Sequence, residues 1–294
     1  MVINKHGSFY IRNGWPTKIL LAIRENPRIF SPNSERQAVD TVGMGRVMIK
    51  ALRYWADASG LTTEEKDQQG LICKETQLFK ELYDYDLYLQ DVGSLWLLHR
   101  ELARNEEKAT AWYWAFNEFE KINFTKEDFI TAFHGYSISK SASYAKSAFS
   151  KEFDCFKNTY FSDGIIDIQK IIDEDTIPFF SPLNLIRMKE RNIYEKQKIQ
   201  ASNIPLDIVL YCILRDNEST LAKRHQISLD IILNEPKQIG RYFSLGYSSL
   251  IELMQMLENR GKLNLVNNFG NRHIEVTILD ASALLHDYFC KVGR

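Results

Sequence analysis

The sequence predicts a mainly α protein with small β-hairpins, in which winged-helix units flank an aromatic-rich helical middle. Three stretches carry that reading. Ser34 to Leu61, SERQAVDTVGMGRVMIKALRYWADASGL, has the layout of a helix, a tight turn and a longer helix. Asp91 to Lys121 is apolar and aromatic on nearly all sides, the mark of buried helices. Ser248 to Ile278 reads as an amphipathic helix followed by two alternating strands. The implied division is 1–90 as an N-terminal winged-helix-like domain, 91–200 as a helical middle and 201–294 as a C-terminal winged-helix-like domain.

In chain order, Phe9, Tyr10 and Ile11 suggest a short strand and Asn13-Gly14 a turn. Pro16 suits the start of a helix that carries Ile19, Leu20 and Ile23 and stops near Asn26-Pro27. Ser34 is a candidate N-cap, because its hydroxyl can accept from an orphan first-turn N–H. Gly43 and Gly45 provide the turn. Met48, Ala51, Leu52 and Trp55 then fall on one face of the second helix, and Arg46, Lys50 and Arg53 on the opposite one. A cationic second helix in a helix-turn-helix can meet phosphates or base edges in a major groove. The same unit also serves elsewhere purely for packing, so both readings stand at this point.

Leu61-Thr62-Thr63 and Gly70-Leu71-Ile72-Cys73 can pair as a hairpin, the wing of the first unit. That wing carries Glu64, Glu65, Lys66 and Asp67, a poor sequence for facing phosphate. Thr76 can cap a helix through Tyr83. In the middle, two antiparallel helices are expected around the polar connection Arg104 to Lys108, with His99, Asn117 and Glu118 as polar groups in an aromatic mass. Buried polar groups of this kind are usually hydrogen-bonded and structural. Thr125 with Glu127 and Asp128 opens a further helix. The Ser-rich run 137–151 holds Lys140, Lys146 and Lys151 and no acid, and reads as a basic loop able to track phosphates or as a plain linker. FDCFKNTY resumes a helix, 163–203 is irregular, and Met188 to Lys198 is an exposed hairpin or strand pair. Pro205 opens a helix through Leu214, Gly261 ends the helix that begins near Ser248, and Asp280 to Val292 closes the chain as a helix.

Composition narrows the function classes. At 45% hydrophobic and 12% aromatic residues, the chain can bury a substantial core. A formal net charge of −1 excludes a globally basic nucleic-acid coat, so a nucleic-acid site must be a local patch. The four cysteines, Cys73, Cys155, Cys212 and Cys290, form no CxxC pair and indicate neither a zinc site nor a disulfide framework. Neither a signal-peptide pattern nor a bilayer-length apolar run is seen, which makes a reduced cytoplasmic location, away from the membrane, the default expectation. Walker A, GxGxxG, HExxH and GxSxG motifs have no support, and no nucleotide cofactor is expected.

FYIRNGWPTK, VGMGRVMIKALRYWADASGL, YLQDVGSLWLLHRELA, TAWYWAFNEF and KEFDCFKNTY follow one another in that order. Together they resemble a bacterial domain-of-unknown-function family encoded beside DNA phosphorothioation genes, the SspB-like DNA nickase family. The resemblance covers most of the chain and is densest from Phe9 to Tyr160. It implies a double-stranded-DNA partner, a role in phage defence, and work alongside a cysteine desulfurase, an ATPase and an ATP pyrophosphatase. Nicking implies an activated nucleophile and commonly Mg²⁺ or Mn²⁺ held by carboxylates. On the matching positions the resemblance puts Asp91, Glu118, Asp154 and His6 at the chemistry. The candidate DNA contacts read from the residues themselves are Arg12 near the helix-turn-helix, Arg46, Lys50 and Arg53 on its second helix, and Lys140, Lys146 and Lys151 in the basic run. The family's His-Glu-Thr-Phe stretch reads His6-Gly7-Ser8-Phe9 here. The missing carboxylate favours a rival reading, a non-catalytic DNA-binding adaptor or regulator that recruits partner enzymes.

Overall fold

A computed structural model describes residues 1–161, 177–268, 271–277 and 280–293. The chain is mainly helical, with small antiparallel sheets among the described residues. It begins with α1 (Trp15–Glu25), α2 (Glu35–Val42) and α3 (Arg46–Ala58), followed by the hairpin β1 (Thr62–Asp67) and β2 (Gly70–Glu75). The hairpin register closes at Asp67 opposite Gly70, which leaves a two-residue turn. Then come α4 (Gln77–Tyr85), α5 (Val92–Arg104), α6 (Thr110–Asn117), β3 (Asn123–Phe124), α7 (Lys126–Ser139) and α8 (Lys146–Tyr160). Beyond the undescribed stretch lie β4 (Ile186–Glu190) and β5 (Ile193–Lys196), which join β3 in the order β3-β5-β4. The last part runs α9 (Leu206–Asp216), α10 (Glu218–Arg224), β6 (Gln226–Ser228), α11 (Leu229–Asn234), α12 (Ile239–Tyr242), α13 (Tyr247–Asn259), β7 (Leu263–Asn268), β8 (Asn271–Val276) and α14 (Ala281–Val292). Its sheet order is β6-β8-β7.

Local chemistry accounts for many boundaries. Pro16 sits in the first turn of α1. Thr76 accepts from the Phe79 N–H and starts α4. Thr125 and Asp128 form a reciprocal capping box on α7, and the same carboxylate is held near pKa 2, chiefly by the Lys121 ammonium. Gly43 ends α2 at φ 69°, a left-handed position that costs glycine little. Buried side chains from α1, α3, α5, α6, α8, α9 and α13 belong to a single apolar cluster. Its centre is a lattice of aromatic rings: Trp55 meets Trp112 edge-on at 5.2 Å, and Trp114 stacks on Phe119 at 4.7 Å.

Several expectations need correction. Phe9, Tyr10 and Ile11 form no strand. Gly7 and Ser8 before them turn at φ 59° and 68°, Ile11 plunges into the core, and the nearest pairing is a lone bridge from Arg12 to Pro178. Ser34 does not cap α2 through its hydroxyl, because its ψ of 8° lacks the extended conformation that such a cap adopts. The inward face of α3 carries Ile49, Leu52, Trp55 and Ala56, while Met48 is only partly buried. Most of the basic run 137–151 is helix, and only 140–145 joins α7 to α8. Ser137 and Ser139 turn their hydroxyls onto the carbonyls of His134 and Tyr136, so these serines continue α7. The strand β6 was not expected at all. Within the stretch expected to be irregular, 163–176 lies outside the described residues, as do Ser162, Phe269 and Gly270 of the last turn and Ile278.

Candidate functional site

The structure has a helix, a tight turn and a longer helix at α2 and α3. Gly43 turns the chain, Gly45 extends it, and α3 starts at Arg46 with Trp55 fixed behind it. The Trp55 indole is fully buried and donates to the Phe9 carbonyl at 3.0 Å. α3 also packs on α1 and on β1, which fixes how its outer face is presented.

The three cations of that face are not equivalent. Arg46 and Lys50 have side chains 74% and 75% exposed, with Glu35 of α2 at 3.7 and 3.9 Å. Arg53 is engaged: its Nε and one terminal nitrogen each donate to a different oxygen of Glu64 on β1, at 2.6 Å. That fork raises the guanidinium's pKa above its ordinary value. The hairpin's acid therefore spends the third cation inside the unit. Arg12 stacks over the Tyr10 and Trp15 rings at 5.2 and 5.7 Å.

Just after α7, Lys140 reaches Glu106 at 2.7 Å, and at the start of α8 Lys146 reaches Glu127 at 3.0 Å. Glu106 also receives Lys237 at 3.5 Å, and these contacts hold its carboxyl below the usual range, Lys140 foremost. Lys151 is exposed on α8.

His6 is buried among Tyr54, Trp55 and Trp112. Its Nδ1 accepts from the Ser8 N–H at 3.1 Å. Its Nε2 lies 3.2 Å from Glu152 of α8, out of line for a good hydrogen bond. Glu152 also accepts from the Asn4 N–H, so it ties the first residues to α8. Asp91 caps α5 by accepting from the Gly93 N–H at 2.9 Å and accepts from the Tyr288 hydroxyl of α14. Burial and this carboxylate push the Tyr288 phenol pKa up. Glu118 is exposed and accepts from Tyr113 at 3.0 Å. Asp154 pairs with Lys126 at 2.7 Å on the surface. Each carboxylate thus has its own local partner on a different element. Among the described residues, no three His, Cys, Asp or Glu side chains gather in a geometry able to hold a metal ion.

His99 is fully enclosed. It meets the Tyr160 hydroxyl at 2.8 Å through Nδ1 and the Tyr242 carbonyl at 2.6 Å through Nε2. Beside it, Arg100 donates to buried Asp216, which also accepts from Tyr242 at 2.5 Å and from Arg104 at 3.1 Å. This network joins α5, α8, α9 and α12. Sequence reading singled out His99 but not Arg100 or Asp216, which lie 116 positions apart.

No curated protein matches the sequence. Two solved structures do: "Magnesium ion-bound SspB crystal structure", at 25% identity and TM-score 0.83, and "SspB crystal structure", at 24% and 0.83. In each case 99% of this chain covers 88% of the other. The resemblance drawn from the sequence agrees with this. Residues 3–289 match the family described as "Protein of unknown function (DUF4007)", and the chain belongs to that family.

Proposed function

We propose that the protein engages duplex DNA through α2, α3 and the β1–β2 hairpin, as the DNA-nicking component of a phosphorothioation-linked phage-defence system. The observation that carries this reading is the pair Arg46 and Lys50, which project into solvent from the second helix of a helix-turn-helix. Helix α3 followed by a hairpin supports a winged-helix reading of the N-terminal unit. The order helix, strand, helices and hairpin, with sheet order β6-β8-β7, supports the same reading at the C-terminal end. The likeness to SspB over 99% of the chain supports the system, with its cysteine desulfurase, ATPase and ATP pyrophosphatase as working partners.

Each exposed cation that neutralises a phosphate adds about 0.9 to the slope of log affinity against log salt. Fluorescence anisotropy with duplex DNA across a salt series tests this. Arg46→Ala with Lys50→Ala should flatten the slope by about 1.8. An unchanged slope with normal melting would remove α3 from the interface, and the surface around Lys151 would become the next to probe.

Nicking on this reading rests on Asp91, Glu118, Asp154 and His6. Mg²⁺ or Mn²⁺ is the metal proposed for nicking; among the described residues no three His, Cys, Asp or Glu side chains gather to hold it, so no ligand set is assigned. A second reading, a non-catalytic adaptor, is favoured by the His6-Gly7-Ser8-Phe9 stretch. There Gly7 supplies no carboxylate and His6 is packed inward against Glu152. Relaxation of supercoiled plasmid separates the two. Nicking lost on combined Asp91→Ala, Glu118→Ala and Asp154→Ala supports catalysis by these carboxylates, whereas clean DNA binding without nicking supports the adaptor.

A further inference from the structure

A second chemical constellation lies away from α3, where the closing helix meets α4. Cys290 and His286 sit one turn apart on α14, with Sγ 3.5 Å from Nε2. The other ring nitrogen, Nδ1, faces the two carboxylate oxygens of Glu81 on α4 at 3.2 and 3.1 Å. Glu81 is buried, the His286 side chain is half-exposed, and Cys290 is partly exposed. The carboxylate can only accept, which assigns the ring proton to Nδ1 and leaves Nε2 free to take a proton from the thiol. Tyr85 flanks the pair, with its hydroxyl 3.4 Å from the same sulfur and its ring edge-on to the imidazole at 5.8 Å. Nucleophile, base and orienting acid thus follow in hydrogen-bonding order.

The arrangement is suited to chemistry at sulfur. A single imidazole separates Cys290 from Glu81 and gives each a different nitrogen, so thiol and carboxylate do not converge on one point as metal ligands must. Thiol–disulfide exchange asks for a thiol, a base to receive its proton and an approach to the sulfur. Here the thiol is partly exposed and the imidazole lies against it. The other cysteines, Cys73, Cys155 and Cys212, are buried, and burial pushes the Cys73 and Cys212 thiols up to about 12.

We propose that Cys290 is a thiol-modification site that forms a mixed disulfide with a small-molecule disulfide, with His286 as proton acceptor and Glu81 as the residue that positions it. The Cys290 proton passes to His286 Nε2. The thiolate attacks one sulfur of the small disulfide, the Sγ–S bond forms and the original S–S bond breaks. The departing thiolate takes the proton from His286, so protons and electrons balance and no further oxidant is needed. This site is independent of the DNA reading.

The test uses the reduced, folded full chain with cystamine as the probe, followed by intact mass and peptide mapping. One adduct is expected, on Cys290. His286→Ala should slow its formation by about tenfold or more, and free imidazole should restore the rate, which loss of a merely structural contact would not allow. Glu81→Gln, nearly isosteric, should slow it by a smaller factor. Cys73→Ser should leave the rate unchanged. A first adduct on another cysteine would overturn the proposal. So would a wild-type rate in both the His286 and Glu81 variants, or a slow His286→Ala that imidazole does not rescue.

Discussion

His99 makes the fold sensitive to mild acid. Its Nε2 faces a backbone carbonyl, which only accepts, so that nitrogen carries the proton and Nδ1 receives the Tyr160 hydroxyl. Trp96, Phe116, Tyr160 and Phe180 surround the ring, and burial lowers its pKa from 6.5 to about 4. The unfolded chain therefore takes up a proton at a higher pH than the folded one. Stability from the neutral ring is present above about 6.5 and is lost as pH falls toward 4. Each pH unit in that window costs about 1.4 kcal/mol, which gives roughly 2 kcal/mol between pH 7 and pH 5. Urea unfolding at the two pH values, at fixed ionic strength, reads this directly. His99→Phe should start less stable at pH 7, because the Tyr160 hydroxyl and Tyr242 carbonyl lose their partner, but should lose little more on going to pH 5. A wild-type stability that is flat over the window, or a variant that keeps the full loss, would refute the assignment.

Trp55→Ala should cost roughly 3–5 kcal/mol, since it deletes a fully buried indole and its bond to the Phe9 carbonyl. A melting curve within a degree of wild type would contradict that. Glu64→Gln should release Arg53 from its fork and, on the DNA reading, steepen the salt slope by about 0.9. A slope equal to wild type would keep Arg53 out of the interface. Gly240→Ala should destabilise by about 1–3 kcal/mol or more, because the added Cβ would lie 2.2 Å from the Leu233 carbonyl oxygen, a backbone atom. An unchanged melting temperature would show that the α11–α12 turn opens freely.

Periodicity and caps made much of the fold legible. The apolar faces of α3 and α13, the Thr125 capping box and the final hairpin could all be read within a window of a few turns. What escaped was set by distant partners. β6 spans only Gln226–Ser228 and exists because β8 offers it an edge. Phe9 to Ile11 have strand composition but pair with nothing as a strand, because their backbone serves Trp55 and the core. The cationic pattern was legible as sequence, yet its electrostatic state was not. Glu64 takes Arg53, Glu106 takes Lys140, and Glu127 takes Lys146, across separations that helical spacing does not encode. The Cys290–His286 pair did carry a local signal, a cysteine four residues after a histidine on a helix, but its meaning depends on Glu81, 205 positions away from His286.

On the proposed DNA reading, charge rather than architecture decides which end of the chain contacts DNA. Both ends place a helix directly before a hairpin, α3 before β1–β2 and α13 before β7–β8. The outer face of α3 presents Arg46 and Lys50, whereas that of α13 presents Glu252, Gln255 and Glu258. Glu258 further accepts from the Leu265 N–H at 2.8 Å, which holds its carboxylate at the helix–hairpin junction. A carboxylate about 5 Å from a phosphate is repelled by close to 1 kcal/mol even in bulk water, and by more where the groove excludes solvent. Docking α13 as α3 is proposed to dock would set two such repulsions in the place of two attractions. Arg272 supplies one cation near this end, bonded to the Tyr247 hydroxyl and over that ring at 5.8 Å, against the two carboxylates of α13. On that reading the same arrangement of helix and hairpin favours DNA contact at one end of the chain and opposes it at the other, so the proposed interface is argued from the side chains each end presents.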